Sequence, residues 1–381
     1  MNLLPLPILP LWTTSLLALS LLGGGSFLLW GWTARFLVGT SYLMVGLIML
    51  MLALVVRPLA FLICERKNLW DPPLPTTSDS RWRIKRPDGT VLSVEAHGPA
   101  DAPTILMTHG WGLNSTVWCY FRKHLAGPFR VVTWDLPGLG RSKPPKNGDY
   151  SLEKMARDLE AVLNSCGEKP VILLGHSIGG MITLTFCRLF PHHLGSRVTG
   201  LVLQNTTYTD PLQTIKYGRI MRALKVPVLL PLLYLNIIFS PLIWAFNLLS
   251  YLLGTAHLLT HLTQFGGGET AEQLEFATRF NLPQSPAVKA RGILAMFRYD
   301  ATTVLPTIPV PVLICTGGRD VFTSAEAGET LSKRIPRSQK LHIDSAGHLT
   351  LLEHNERFCQ AVSAFGSSCL RAEPSWARTH P

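Results

Sequence analysis

Long apolar stretches dominate the first part of the chain. Residues 2–34 carry no charged side chain, Arg35 is the first charge, and residues 36–56 are again uncharged. A membrane-spanning helix needs about 20 apolar residues. The second stretch therefore predicts a spanning helix, whereas prolines and glycines 23–25 interrupt the first and make it the weaker candidate. We expect residues 1–67 to form a membrane anchor of one or two transmembrane helices.

Charges at the ends of these stretches predict their orientation. The start of the chain, MNLLPLPILP, contains no Lys or Arg, whereas a signal peptide carries positive charge before its apolar core, so cleavage is not expected. Arg57, Arg66 and Lys67 follow the second stretch and favour the cytoplasmic side for that end. The sequence thus predicts an integral membrane protein whose catalytic domain faces the cytoplasm. Two buried helices of a soluble protein are the alternative.

After the anchor, short apolar runs alternate with amphipathic segments. Residues 68–80 are rich in Pro, Ser and Thr and predict a linker. The runs TILMTHG, RVVTWDLPG, VILLGHS, VTGLVLQNTT, VPVLICTGG and KLHIDSAGH are typical of buried strands, and Asp88-Gly89 favours a hairpin turn. This alternation predicts an α/β fold over residues 81–369, with a mostly parallel sheet and helices on both faces. Residues 370–381 would form a C-terminal tail.

Composition and charge narrow the choice of partners. Only 15% of the residues are charged and 47% are hydrophobic, so part of the chain lies in lipid or its surface is unusually apolar. The net charge of +11 suits an anionic partner such as a phospholipid surface. Basic residues form no run interleaved with aromatics, so nucleic acid is not expected. The 7 cysteines form no C-x-x-C pair and the 12 histidines show no metal-binding spacing, which predicts reduced thiols and neither metal nor cofactor.

Ser177 lies in the segment Gly175-His176-Ser177-Ile178-Gly179, between a predicted strand and a predicted helix. This is the context of a G-x-S-x-G nucleophile elbow, in which a sharp turn raises the serine hydroxyl above the sheet. Small residues are needed on either side because the turn brings backbones close together. The N–H of Ile178 would then face the oxyanion of a reacting ester at the start of a helix. A passive serine in a glycine-rich packing turn is the alternative.

Further glycine-rich loops follow other strands. His109-Gly110-Trp111-Gly112 follows TILMT and matches the loop that supplies a second oxyanion donor, which we assign to the backbone N–H of Trp111. His109 itself is interpreted as structural. Asp135, in DLPGLGRS, is interpreted as a residue of a turn.

Two further residues complete a catalytic triad in the chain order Ser, Asp, His. Asp320 follows VPVLICT and His348 follows KLHID, so both lie where parallel strands end and such sheets bind ligands. His348 would accept the proton of Ser177, and Asp320 would orient His348. Asp210 is the alternative acid. The side chain of His176 must point away from the site and is interpreted as packing.

With these motifs assembled, residues 81–369 resemble the α/β-hydrolase fold superfamily, in its serine-triad branch. HGWG, DLPGLGRS, GHSIGG, GGRD and AGH occur in the family's order. The resemblance implies an eight-stranded sheet, an inserted lid at about 210–300, and the triad and oxyanion roles given above. A serine at the elbow departs from the haloalkane dehalogenase and epoxide hydrolase branches, which have aspartate there. The anchor combined with a serine triad is similar to membrane-bound monoacylglycerol lipases of this superfamily.

The lid has a pattern of its own. Val226–Ala256 contains no charged residue. Four basic residues precede it at a spacing of three, which keeps them close together on a helix: Lys216, Arg219, Arg222 and Lys225. A single crossing would separate the two ends of the insertion, and Pro231 and Pro241 interrupt the run. We expect a helical lid lying in the membrane interface. A lid folded over the active site, with its apolar face lining an acyl pocket, is the alternative.

Together these features predict a membrane-anchored serine hydrolase that cleaves an ester of a hydrophobic, lipid-like substrate through an acyl-enzyme. An acyltransferase would use the same triad, with an alcohol attacking the acyl-enzyme in place of water. A non-catalytic binding protein that keeps the fold is a third interpretation. The triad and the oxyanion-loop glycines argue against that third one.

Overall fold

The computed structural model describes residues 9–64 and 78–371. Its centre is an eight-stranded sheet in the order β1-β2-β4-β3-β5-β6-β7-β8. The strands are β1 Ser80–Lys85, β2 Val91–His97, β3 Thr104–Thr108, β4 Arg130–Trp134, β5 Val171–His176, β6 Val198–Gln204, β7 Val312–Gly317 and β8 Ser338–Ile343. Only β2 runs against the others, since it pairs antiparallel with β1 and with β4. The predicted α/β fold and its mostly parallel sheet are confirmed.

Helices cover both faces of the sheet. In chain order they are α1 Leu9–Thr33, α2 Thr40–Cys64, α3 Cys119–Leu125, α4 Leu152–Asn164, α5 Ile178–Leu189, α6 Pro211–Thr214, α7 Gly218–Leu224, α8 Leu230–Ile238, α9 Ser240–Leu253, α10 Thr255–Gln264, α11 Ala271–Arg279, α12 Pro286–Met296, α13 Ala325–Arg334, α14 Thr350–Glu353 and α15 Asn355–Arg371. One buried cluster joins the sheet to α4 and α5, and a second joins its other face to α3 and α15. All residues of β3, β5 and β7 are buried, which explains their continuous apolar sequences.

The order of strands decides where the site forms. Strands β5, β6, β7 and β8 are consecutive neighbours and run parallel. Their carboxyl ends therefore meet at one edge of the sheet. Ser177 follows β5 directly, and Asp320 and His348 follow β7 and β8 within a few residues.

The first two helices form a hairpin. The described parts of α1 and α2 pack closely at Gly25 and Gly46. A Cβ on Gly25 would lie 2.8 Å from the carbonyl oxygen of Gly46. The expected interruption at glycines 23–25 is wrong, because α1 runs through them and they allow the partner helix to approach. Within the described residues, Thr13–Thr33 is long and apolar enough to cross a membrane, whereas the corresponding part of α2, Thr40–Val56, is shorter.

Seven helices, α6 to α12, lie between β6 and β7, and we call residues 210–300 the lid. A backbone bridge between Thr209 and Asp300 joins the two ends of this insertion. A π-helical turn, Lys225–Leu229, connects α7 to α8, so the apolar segment Gly218–Ile238 is also long enough to cross a membrane.

One of the two prolines of the lid does not act as expected. The expected interruption at Pro231 is wrong, because Pro231 lies in the first turn of α8 and the π-helical turn accommodates it. Pro241 does mark a break, since it lies in the first turn of α9 after α8 has ended. Helices α9 and α10 then meet at an angle of 88°, and together they would make a third, broken span.

The lid packs on the hairpin. Leu253 at the end of α9 is buried against Ala18 of α1 and Ala53 of α2. Leu249 lies beside this cluster, with further apolar residues of both helices around it. These contacts lie near the middle of α1 and α2. The hairpin and the lid therefore form one apolar body.

The start of β1 and the end of α15 differ by one or two residues from the expected domain boundaries. Strand β1 begins at Ser80, so the sheet takes the last residue assigned to the linker 68–80. Most of that linker, together with Arg66 and Lys67, lies outside the described residues. Helix α15 continues to Arg371, past the expected start of the tail at residue 370, and the remainder of the tail is also outside. The six described cysteines are free and buried: Cys119, Cys166, Cys187, Cys315, Cys359 and Cys369.

Candidate active site

Ser177 occupies a strained turn between β5 and α5. Its φ of 55° and ψ of −121° lie in a region that residues other than glycine rarely adopt. Hydrogen bonds to the end of β6 and the residues after it hold Ser177 in this conformation. The N–H of Ser177 donates to the carbonyl of Gln204 at 3.0 Å, and its carbonyl accepts from the Thr206 hydroxyl at 2.6 Å. Its side chain stays half-buried at the edge of the sheet. A serine held in such a turn presents its hydroxyl to a substrate.

The elbow requires glycine at two positions because no space is left there for a side chain. A Cβ on Gly175 would collide with the backbone of Gly179, and a Cβ on Gly179 would collide with the carbonyl oxygen of Thr108 in β3. The start of α5 thus lies against both β5 and β3. This close approach is the physical reason for the G-x-S-x-G pattern.

Asp320 is buried at the end of β7 and surrounded by donors. Its Oδ1 accepts from the backbone N–H groups of Phe322 at 2.8 Å and Thr323 at 3.0 Å. Its Oδ2 accepts from the Thr323 hydroxyl at 2.6 Å, from the side-chain amide of Asn205 at 2.7 Å, and from Nδ1 of His348 at 2.8 Å. Burial by itself raises the pKa of Asp320, but His348 and these donors outweigh it and hold the pKa below its ordinary value.

His348 receives its orientation from this carboxylate. Because ionised Asp320 can only accept, Nδ1 of His348 must carry a hydrogen, which leaves Nε2 free to accept a proton. The ring is buried beside Phe322, whose centroid is 5.1 Å away in a T-shaped arrangement. A neutral imidazole in this tautomer is the state that a general base requires.

His176 packs between the oxyanion loop and His348. Its ring centroid is 4.9 Å from that of His348, and its Nε2 lies 3.1 Å from the carbonyl oxygen of His348. On the other side, a Cβ on Gly110 would lie 2.6 Å from Nδ1 of His176. Complete burial lowers the pKa of His176 to about 3, so the ring is neutral. His176, which directly precedes Ser177, therefore contacts the backbone of His348.

Two backbone N–H groups are available as oxyanion donors. Ile178 is the first residue of α5, and Trp111 follows β3 in the glycine-rich loop. Neither N–H takes part in a hydrogen bond with any described residue. The Trp111 indole is fixed, since its Nε1 donates to the carbonyl of Lys289 at 2.9 Å. In the same way, the Gln284 amide donates to the carbonyl of Gly112 at 2.7 Å, so α12 and the segment before it hold this loop.

The other candidate residues have structural partners. Asp210 caps α6 through the N–H of Leu212 at 3.0 Å and pairs with Lys225 at 2.9 Å, so the structure brings Asp320 to His348 and directs Asp210 elsewhere.

The loop residues His109 and Asp135 are similarly occupied. Nε2 of His109 accepts from the N–H of Leu136 at 3.0 Å, and its Nδ1 lies 2.8 Å from the carbonyl of Gly110. Asp135 accepts the N–H of Ser115 at 2.7 Å and that of Arg141 at 2.8 Å. Among the residues that the structure describes, no cluster of His, Cys, Asp and Glu could hold a metal ion.

Sequence reasoning did not identify Asn205 and Thr323. Asn205 follows β6, the strand between those that lead to Ser177 and Asp320, and has a φ of 44°. A polar residue that tolerates positive φ directly after a buried strand is a usable signal, although the strand order is needed to interpret it. Thr323 lies three residues after Asp320 and carries no comparable signal.

Comparison with known proteins agrees with this geometry. The family model described as alpha/beta hydrolase fold matches residues 103–355. The chain belongs to the α/β-hydrolase family. The matched residues include the loops that carry Asp320 and His348 and the whole lid.

Several relatives of this α/β-hydrolase are esterases. The pimeloyl-[acyl-carrier protein] methyl ester esterase of Methylococcus capsulatus is 28% identical over 73% of this chain and 99% of its own length. The solved structure of a thermophilic esterase from Thermogutta terrifontis has a TM-score of 0.57, with 25% identity over 76% of this chain and 99% of that one. A membrane phospholipase A shares the fold with a TM-score of 0.60, 20% identity, and 77% and 87% coverage. The likenesses to the two esterases support a hydrolase of the esterase type.

Proposed function

We propose that this α/β-hydrolase is a membrane-anchored serine esterase with Ser177 as nucleophile, His348 as base and Asp320 as orienting acid. The observation that carries the proposal is the bond from His348 to a buried Asp320, at the same sheet edge as a serine in a strained elbow. A buried carboxylate bonded to an imidazole, with a strained serine at the same sheet edge, supports a catalytic role.

The reaction follows the usual steps of acyl transfer to serine. Ser177 Oγ attacks the ester carbonyl while its proton passes to Nε2 of His348. The N–H groups of Trp111 and Ile178 stabilise the oxyanion. His348 then returns the proton to the leaving alcohol, and the acyl-enzyme remains on Ser177. Water attacks this ester in a second round, giving the carboxylic acid and the free serine.

The apolar surface of the hairpin and the lid supports a lipid as the substrate class. Large apolar side chains are exposed on the hairpin, such as Val38 at 85% and Trp30 at 61%, and on the lid, such as Val226 at 70% and Ile238 at 67%. A soluble monomer rarely exposes so much contiguous apolar surface. Because the lid packs on the hairpin and also covers the oxyanion loop, we propose that an ester of a lipid enters the site from the membrane.

Labelling and substitution of Ser177 test the proposed triad. A fluorophosphonate should attach to Ser177, and Ser177→Ala should lose turnover by about 10⁴-fold or more while the protein stays folded. Ser165→Ala is a matched control, because Ser165 lies on the surface at the end of α4. A Ser177→Ala protein with full activity would disprove the mechanism.

A series of esters of increasing acyl length then tests the lipid substrate, with the highest kcat/KM expected for long chains.

A further inference from the structure

A glycine-rich segment of the lid, residues 264–268, follows α10 and lies against the loop carrying His348, residues 345–349. We call these the lid exit and the base loop. A Cβ on Gly266 would collide with the backbone of the base loop, and a Cβ on Gly347 would collide with the backbone of the lid exit. Only glycine allows two backbones to lie so close. The lid exit therefore fixes the path of the chain at the catalytic histidine.

A single carboxylate joins the two segments. Glu353, at the end of α14, accepts the N–H of Gly266 at 3.0 Å through each oxygen and the N–H of Gly268 at 2.7 Å, both in the lid exit. It also accepts the N–H of Gly347 in the base loop at 2.9 Å. Hydrogen bonds to an ionised acceptor are roughly twice as strong as neutral ones. None of these contacts is needed to close the sheet.

Further bonds place both partners of the triad against the lid exit. The residue after His348, Leu349, donates its N–H to the carbonyl of Gln264 at 2.8 Å. The residue before Asp320, Arg319, donates from its guanidinium to the carbonyl of Gly266. The N–H groups on both sides of His348 are thus tied to the lid exit, that of Leu349 directly and that of Gly347 through Glu353.

We propose that Glu353 is a positioning residue that holds His348 in its catalytic orientation and couples it to the lid. The proposal rests on the triad proposed above. Glu353 acts through the backbone of Gly347 and does not touch the substrate. When it is removed, the base loop can shift relative to Asp320, and a displacement of about 1 Å at a catalytic group can lower the rate about 100-fold.

The test compares Glu353→Gln and Glu353→Asp with Glu356→Gln in the full-length protein. Glutamine keeps the shape but loses the charge and one acceptor, whereas aspartate keeps the charge on a shorter side chain. Glu356 is an exposed residue of α15 and provides the matched control. Steady-state kinetics on a short soluble ester give kcat and KM, and fluorophosphonate labelling of Ser177 to completion counts the folded sites.

We expect kcat of Glu353→Gln to fall about 10- to 100-fold with KM within about twofold and the labelled fraction unchanged. Glu353→Asp should recover part of the loss, and Glu356→Gln should match the wild type. An unchanged kcat would overturn the proposal, and so would a loss that follows the labelled fraction, since that indicates a role in folding alone. If the wild type itself is not labelled at Ser177, the proposed function fails first and this inference with it.

Discussion

Ser177, Asp320 and His348 lie at the ends of different strands, and each depends on neighbours that have no part in the chemistry. Gln204 and Thr206 hold the serine turn, and Asn205 and Thr323 hold the acid. Buried polar networks of this kind are sensitive to the loss of one member, because the remaining groups are left without partners.

Asp320→Asn should lower kcat by about 10⁴-fold. An amide can donate to Nδ1 of His348 in place of accepting from it, which fixes the wrong tautomer of the base. Steady-state kinetics on a soluble ester give the value. Asp210→Asn is the control, because Asp210 caps α6 and pairs with Lys225. If the Asp210 variant were inactive and the Asp320 variant active, the assignment of the acid would be wrong.

The lid depends on a buried network that joins its helices. Glu275 of α11 lies 2.7 Å from Nε2 of His257 in α10 and 2.6 Å from Nε of Arg279, and it also accepts from the hydroxyl of Tyr251 in α9. Burial by itself raises the pKa of Glu275, but these partners outweigh it and lower the pKa to about 2. One carboxylate thus holds the bend between α9 and α10 against α11.

Glu275→Gln should lower the free energy of unfolding at neutral pH by on the order of 2 kcal/mol. Since the folded pKa lies below the ordinary value, the stabilisation is complete above about pH 4.5 and decreases as pH falls towards 2. The difference between the two proteins should therefore shrink over that range. Thermal unfolding in detergent at several pH values measures it, with Glu272→Gln on the same helix as control. A difference that is independent of pH would contradict the assignment.

The lid also carries exposed basic residues next to its apolar helix. Lys216, Arg219 and Arg222 are exposed, whereas Lys225 is not available to a membrane, because it pairs with Asp210 and lies 4.8 Å from the ring of Phe297. The expected group of four is thus reduced to three.

Changing these three residues to Glu should weaken activity towards a long-chain ester in anionic vesicles by at least about tenfold, since each basic residue contributes about 1 kcal/mol at such a surface. Activity towards a short soluble ester should be kept. The matched control is the same change at three exposed basic residues elsewhere: Arg83, Lys85 and Lys123. Equal losses on both substrates would indicate that the lid only covers the pocket.

At the scale of the whole molecule, the hydrolase domain meets the hairpin through α9 as well as through the chain that follows α2. Removal of the hairpin would uncover Leu249 and Leu253 and leave the lid with a larger apolar face.

Deletion of residues 1–67 should therefore abolish carbonate-resistant membrane association while vesicle binding through the lid remains. The deleted protein should keep activity on a short soluble ester, since no described residue of the hairpin takes part in the hydrogen bonds of Ser177, Asp320 and His348. Membrane fractionation and vesicle flotation distinguish the two kinds of association, and the full-length protein with Ser177→Ala is the control for binding without turnover. Full-length protein in the soluble fraction without detergent would contradict the anchor.

The sequence by itself determined the fold, because apolar runs, glycine-rich turns and alternating helices are local patterns. It also indicated Ser177, Asp320 and His348 through motifs that accompany strand ends. Only the tertiary structure decided that Asp320 and not Asp210 meets His348, because strand order places β7 beside β8. Likewise, only the tertiary structure decided the hydrogen bonds of Glu353 and the contact between α9 and the hairpin. Those contacts join residues far apart in the chain, and no local pattern encodes them.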